Sequence, residues 1–268
     1  MSVQVRRGVS VKQKGMTTPM GGHELYLLHL GRMGWLDEAG EKHYGQVPGY
    51  LIRTAGGQTV LVDTGSPAAL IGQETAAPWS PLLNDTRPED DLAPRLAALD
   101  LAPADIDLLI STHFDFDHCG RHELFAGAGI TSLVQRDHLE FARADPRCDP
   151  ALFDLAGIDY APVDGEMEIE PGLRLIPTPG HIPGLQSLFV DAVGGPVVLA
   201  IDAIALAGHA EPINPADFGH WYPDAEAAAQ SRERLLALAE ETGAFVLFGH
   251  DWPQWETLPK SPAPFRRP

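Results

Sequence analysis

Cysteine is nearly absent from the chain: Cys119 and Cys148 are the only two in 268 residues, too few for a disulfide framework. No apolar stretch approaches the roughly 20 residues needed to span a bilayer. Met1 to Met20 carries basic residues without the continuous apolar core of a secretory leader. A soluble cytoplasmic protein is the expectation. Positive charge is also scarce, because 19 Lys and Arg face 37 Asp and Glu for a formal net charge of −18. No basic cluster offsets that field, which argues against nucleic acid and membranes as partners. There is no Gly-x-Ser-x-Gly elbow to supply a serine nucleophile, no internal repeat and no low-complexity linker.

What is present suits a globular core. Hydrophobic residues make up 44% of the chain, with 24 prolines and 27 glycines scattered among apolar runs, a pattern of fixed turns rather than disorder. One large domain is expected over residues 21–259, between a peripheral segment at 1–20 and a Pro-rich tail at 260–268 that is also peripheral. Val47 to Arg53 and Gln58 to Asp63, joined by Ala55-Gly56-Gly57, predict a β-hairpin. Further strands are predicted at Ile106–Thr112, Ile130–Gln135, Leu173–Pro177, Gln186–Asp191, Val197–Asp202 and Ala244–Phe248. Helices are predicted at Glu89–Leu99, Asp137–Ala144 and Asp224–Thr242, the last with Asp224 as N-cap and Gly243 past its end. Strands interleaved with helices suggest sheets covered by helices.

The strongest chemical signal is Ser111-Thr112-His113-Phe114-Asp115-Phe116-Asp117-His118-Cys119-Gly120, directly after an apolar strand. A tight loop can turn His113, Asp115, Asp117 and His118 into one pocket. Burying two imidazoles and two carboxylates together without a cation would leave them poorly solvated and partly repelling. An exposed polar turn is the competing interpretation, and the alternating Phe114 and Phe116 rings, which need burial, count against it. Three more segments present a ligand at a strand end: His181 after Thr178-Pro179-Gly180, Asp202 after Val197–Ile201, and His250 after Phe248-Gly249. A lone strand-end histidine is usually a surface or satisfied residue; three such positions beside the dense loop make coincidence much harder.

The order of these motifs resembles that of the metallo-β-lactamase superfamily of hydrolases, from an Asp63-Thr64-Gly65 turn to the C-terminal His250, over roughly Leu25 to Pro259. Within it, the chain is similar to the N-acyl-homoserine lactonase-like group. Val47-Pro48-Gly49-Tyr50-Leu51-Ile52, Leu61–Gly65, Gly184-Leu185-Gln186-Ser187-Leu188 and Phe248–Trp255 carry that likeness. The resemblance implies an α/β (α+β) four-layer αββα sandwich with the site at one edge between the sheets. It also implies two divalent metal ions, one held by His113, Asp115 and His181 and the other by Asp117, His118 and His250. Asp202 would bridge them, and Asp63 would support the loop by hydrogen bonding.

Two positions depart from the family pattern. Asp115 stands where histidine is usual, a harder and negatively charged ligand that admits manganese or iron beside zinc. Ala205 stands where the lactonases have a tyrosine, so its part must be absent or supplied elsewhere; Tyr222, His209 and His220 are the candidates. The expected activity is metal-assisted hydrolysis of a small-molecule substrate, a lactone or carboxylic ester first, then a thioester or phosphodiester, with Asp117 relaying a proton. From another class, Asp115 permits a di-iron redox centre, although no flavin-binding segment is evident, and a non-catalytic metal-binding protein is a third reading. A homodimer is among the assemblies the sequence allows. Cys119 is expected to be a small buried thiol and Trp252 and Trp255 to pack or to line a pocket. Met33-Gly34-Trp35-Leu36 would offer an apolar wall, while His23, His29, His43, His122 and His138 lack any ligand spacing.

Overall fold

Apolar residues fall on both faces of the central strands because both faces are covered. The computed structural model describes residues 22–211 and 221–268. The expected peripheral segment at 1–20 and the candidate His220 lie outside them. One sheet contains β1 (Glu24–Leu36), β2 (Lys42–Arg53), β3 (Thr59–Val62), β4 (Leu83–Asp85), β5 (Leu108–Ile110), β6 (Ile130–Gln135) and β7 (Ile158–Val163), in the order β4-β1-β2-β3-β5-β6-β7. The other contains β8 (Met167–Glu170), β9 (Leu173–Pro177), β10 (Gln186–Ala192), β11 (Gly195–Ile201) and β12 (Phe245–Phe248), in the order β12-β11-β10-β9-β8. The helices are α1 (Leu92–Ala97), α2 (Phe116–Cys119), α3 (Arg136–Ala144), α4 (Pro150–Phe153), α5 (Ala225–Thr242) and α6 (Trp252–Thr257).

Strand periodicity divides the apolar residues between two cores. Leu25, Leu27, Tyr50, Ile52, Val60, Val62, Leu108 and Ile110 share a core with Leu173, Leu175, Leu188, Val190, Val197 and Leu199 of the second sheet. The intervening Tyr26, Leu28, Leu30, Leu51, Leu61 and Leu109 join a second core with Leu92 and Leu96 of α1. Successive side chains point to opposite faces, so a strand covered on both sides reads as an unbroken apolar run. On the far side α5 packs against β11 and β12, with Leu235 and Ala239 buried. The layers are thus helix, sheet, sheet, helix, the αββα sandwich that the resemblance implied.

The expected hairpin forms, with Arg53 opposite Thr59. The long C-terminal helix starts after Asp224, which accepts the Ala227 N–H, and stops at Gly243 with φ 65°, a left-handed conformation that costs glycine little. Three differences have physical causes. β1 was not anticipated, because Gly31 and Gly34 interrupt it and its register shifts between His29 and Arg32. The predicted Glu89–Leu99 helix is a 3-10 turn at Pro88–Asp90 followed by α1, because Asp91 adopts extended geometry and caps a fresh start at Leu92. The tail is not peripheral: Ser261 and Phe265 donate to the carbonyls of Leu27 and Leu25, and Phe265 is 1% exposed. Among the described residues, no helix is long and apolar enough to cross a membrane.

Candidate metal centre

Five strands end at one edge and deliver the polar residues there. β3 leads into Asp63, the parallel β5 into the 111–119 loop, β9 into the loop carrying His181, β11 into Asp202, and β12, parallel to β11, into His250. Two of these strand ends hold unusual backbone. Asp63 has φ 56° and Ile201 φ 52°, a region that β-branched residues avoid. Each such conformation costs about 1–3 kcal/mol and persists only where surrounding structure over-determines it. Ile201 aims the Asp202 carboxylate inward, while Gly249 allows β12 to close against it. A Cβ on Gly249 would lie 2.5 Å from the Ile201 carbonyl oxygen.

All seven predicted ligands converge. On one side, His181 Nε2 lies 3.0 Å from Asp115 Oδ2 and 3.4 Å from Asp202 Oδ2, and His113 Nε2 lies 3.6 and 3.8 Å from the same two oxygens. On the other, His250 Nε2 is 3.0 Å and His118 Nε2 3.4 Å from Asp202 Oδ1, with Asp117 Oδ2 3.9 and 3.6 Å from the same two nitrogens. Donors about 2.0–2.2 Å from one tetrahedral ion lie about 3.4 Å from each other. Asp202 therefore turns one oxygen to each group.

Tautomers test whether the residues suit a metal. Asp63 can only accept, so His118 donates its Nδ1–H to Asp63 Oδ2 at 2.8 Å. His250 and His181 donate their Nδ1–H to the carbonyls of Gln46 and Trp221, each at 2.6 Å. Thr112 gives its hydroxyl hydrogen to Asp63 and accepts from His113 Nδ1 at 3.0 Å. In the neutral imidazole each Nε2 is then a bare lone pair. The Nε2 atoms of His113 and His118 are buried without any hydrogen-bond partner, and that of His250 faces another acceptor, Asp202 Oδ1. Buried acceptors facing acceptors call for a cation, so these residues fit one. The triads His113–Asp115–His181 and Asp117–His118–His250 each bring their ligand atoms within 4.8 Å of one another.

Burial, reinforced by the neighbouring His118, pushes His113 down to about 3. Burial pushes the Asp117 carboxyl up. Burial also opposes charge on Asp202, yet His250 and His118 hold its carboxyl well below the ordinary range. Burial likewise opposes charge on His118 and His250, yet the Asp117 and Asp202 carboxylates hold His118 well above and His250 above the ordinary imidazole value. Metal ligation requires the neutral imidazole, so an ion binding there displaces a proton from Nε2.

Other expectations divide. Tyr222 is buried, accepts the Ala205 N–H at 3.4 Å and lies 2.8 Å from His209 Nδ1; Ala205 in turn accepts the His250 N–H at 2.7 Å. A cavity of about 650 Å³ opens beside His250, bounded by Arg32, Trp35, Tyr44, Leu206, His209 and Trp252. Trp35 thus stands at the site, whereas Met33 belongs to the outer core. Trp255 is fully buried and Cys119 is a buried free thiol.

Two residues at the site escaped the sequence. His138 accepts the Phe114 N–H at Nε2 and donates Nδ1–H to Pro183 O, each at 2.8 Å, tying together the loops that carry His113 and His181. Arg147 pairs with Asp115. Neither has a spacing relative to the ligands that could have marked it.

Comparison with known proteins agrees with this geometry. The family model described as "Metallo-beta-lactamase superfamily" matches residues 44–250. An N-acyl homoserine lactonase from a Bacillus species is 33% identical over 213 residues, 75% of this chain and 80% of that protein. The N-acyl homoserine lactonase AttM of Azorhizobium caulinodans is 29% identical over 235 residues, 81% of this chain and 86% of AttM. A solved structure of an N-acyl homoserine lactone hydrolase, with the product N-hexanoyl-L-homoserine bound at its catalytic metal centre, aligns with a TM-score of 0.80 at 29% identity. It covers 91% of this chain and 100% of the other.

Proposed function

The chain belongs to the metallo-beta-lactamase superfamily, and from that premise we propose that it hydrolyses the ring of N-acyl homoserine lactones at a centre of two divalent metal ions. The observation that carries the dinuclear reading is Asp202, whose Oδ2 faces His113 and His181 and whose Oδ1 faces His118 and His250. The lactone reading draws on the relatives at 33% identity and on the ring-opened product held by the similar hydrolase.

His113, Asp115 and His181 would hold one ion, Asp117, His118 and His250 the other, and Asp202 both. Four imidazoles favour zinc, while Asp115 admits manganese or iron. When bound, such ions polarise a carbonyl oxygen and lower the pKa of water. The chain's own residues supply orientation and proton movement. Asp63 and Thr112 fix the faces of His118 and His113. Asp117 accepts a proton from the attacking water and returns it to the ring oxygen as the acyl C–O bond breaks. One water and one lactone thus give one hydroxy acid, which ionises and releases a proton near neutral pH. Tyr222 holds the backbone of Ala205 and orients His209, which borders the cavity; it is a positioning residue. The aromatic and aliphatic walls of the cavity suit an acyl chain.

The test is a panel of N-acyl homoserine lactones, simple γ- and δ-lactones, a carboxylic ester, a thioester and a phosphodiester, presented to metal-loaded protein. Acyl homoserine lactones should be cleaved fastest. Untouched lactones beside a cleaved ester or phosphodiester would remove the lactone assignment, and oxygen or NO consumption by iron-loaded protein would favour redox chemistry instead.

A further inference from the structure

The two halves of the centre differ in one respect that the seven ligands do not reveal. Arg147, in the loop between α3 and α4, reaches into one half only. Its Nε donates to Asp115 Oδ1 at 2.9 Å, and one terminal nitrogen bonds Asp115 Oδ2. That same nitrogen lies 2.8 Å from His181 Nε2, and the other donates to His181 O at 3.1 Å. Because His181 Nδ1 is committed to Trp221 O, Nε2 has a single lone pair, and the guanidinium takes it. Among the described residues, no arginine or lysine hydrogen bonds or ion pairs with Asp117, His118 or His250.

A bidentate guanidinium–carboxylate pair is among the stronger polar contacts a protein makes. It cancels the formal charge that Asp115 brings in place of a neutral imidazole. It also puts a fixed positive charge beside the position a metal would take, and it competes for His181 Nε2. The other half, Asp117, His118 and His250 with Asp202 Oδ1, has no such competitor.

On the dinuclear reading above, we propose that Arg147 makes the two halves unequal. The Asp117–His118–His250 half retains its ion, and the His113–Asp115–His181 half takes a second ion reversibly, against displacement of the guanidinium. The Arg147 side chain is 32% exposed, so it has somewhere to go. Asp115 then acts less as a selector of hard metals than as one partner of a pair whose formal charge equals that of a neutral imidazole.

The experiment is equilibrium dialysis of the full chain against buffered zinc, with bound metal measured by elemental analysis. The wild-type protein should show two steps, the second at least about tenfold weaker than the first. Arg147→Met should strengthen the second step by about tenfold or more and leave the first unchanged, the unchanged first step also reporting that the loops are intact. If Arg147→Met loses the first step as well, Arg147→Lys decides: it keeps one charge without the fork, and its second step should be stronger than that of wild type with the first unchanged. Two equal steps in wild type, or a second step that neither variant strengthens, overturns the inference. Binding of no zinc by wild type would instead overturn the metal centre itself.

Discussion

The Asp63 carboxylate takes the Nδ1–H of His118 at 2.8 Å with its Oδ2, while Oδ1 takes the Thr112 N–H at the same distance. One buried side chain at a positive φ thereby sets both the tautomer of a candidate ligand and the path of the loop that bears it. Asp63→Ala should lower metal affinity by about 10–100-fold, the usual effect of removing such a partner. Dialysis against graded zinc checks it; unaltered affinity in a folded variant would show that His118 needs no orienting partner.

Tyr222 offers a separate test. If its hydroxyl only holds the Ala205 backbone and His209, Tyr222→Phe removes about one hydrogen bond's worth of positioning, roughly 0.5–1.5 kcal/mol. The expected result is a two- to tenfold lower kcat with both metals retained and KM little changed. A loss of metal would mean that the phenol supports the ligand loop itself.

His122 makes stability depend on pH. It is fully buried between Ser111 Oγ at 3.4 Å and Tyr160 OH at 3.2 Å, and burial pushes its pKa from 6.5 down to about 3. The unfolded chain therefore binds the proton first. Its contribution to stability is complete above about pH 6.5 and is lost as pH falls toward 3, amounting to about 2 kcal/mol by pH 5. Denaturant unfolding at pH 7.5 and 5 should show a smaller pH loss for His122→Gln than for wild type. Equal losses would contradict this.

The candidate ligands were legible because four of the seven sit inside one dense loop and the other three follow the ends of apolar strands, and strand ends are where both the sequence pattern and the chemistry change together. The two long strands of the seven-stranded sheet were only half legible: β2 declared itself through its hairpin, but β1 hides behind Gly31 and Gly34. The contacts that tune the site were not legible at all. Arg147 meets Asp115 across 32 positions and His138 meets Phe114 across 24, through folding rather than periodicity. Phe265 looked like tail because proline surrounds it, yet its ring is buried in the inter-sheet core.

The most direct test of the central claim is proton release from N-hexanoyl homoserine lactone in weakly buffered solution, before chelation, after metal removal, and after zinc is restored. One proton should appear per lactone consumed, release should stop with the metal gone, and it should return on reloading. Lactone opening that survives complete metal removal, or none from fully loaded protein, would contradict the account.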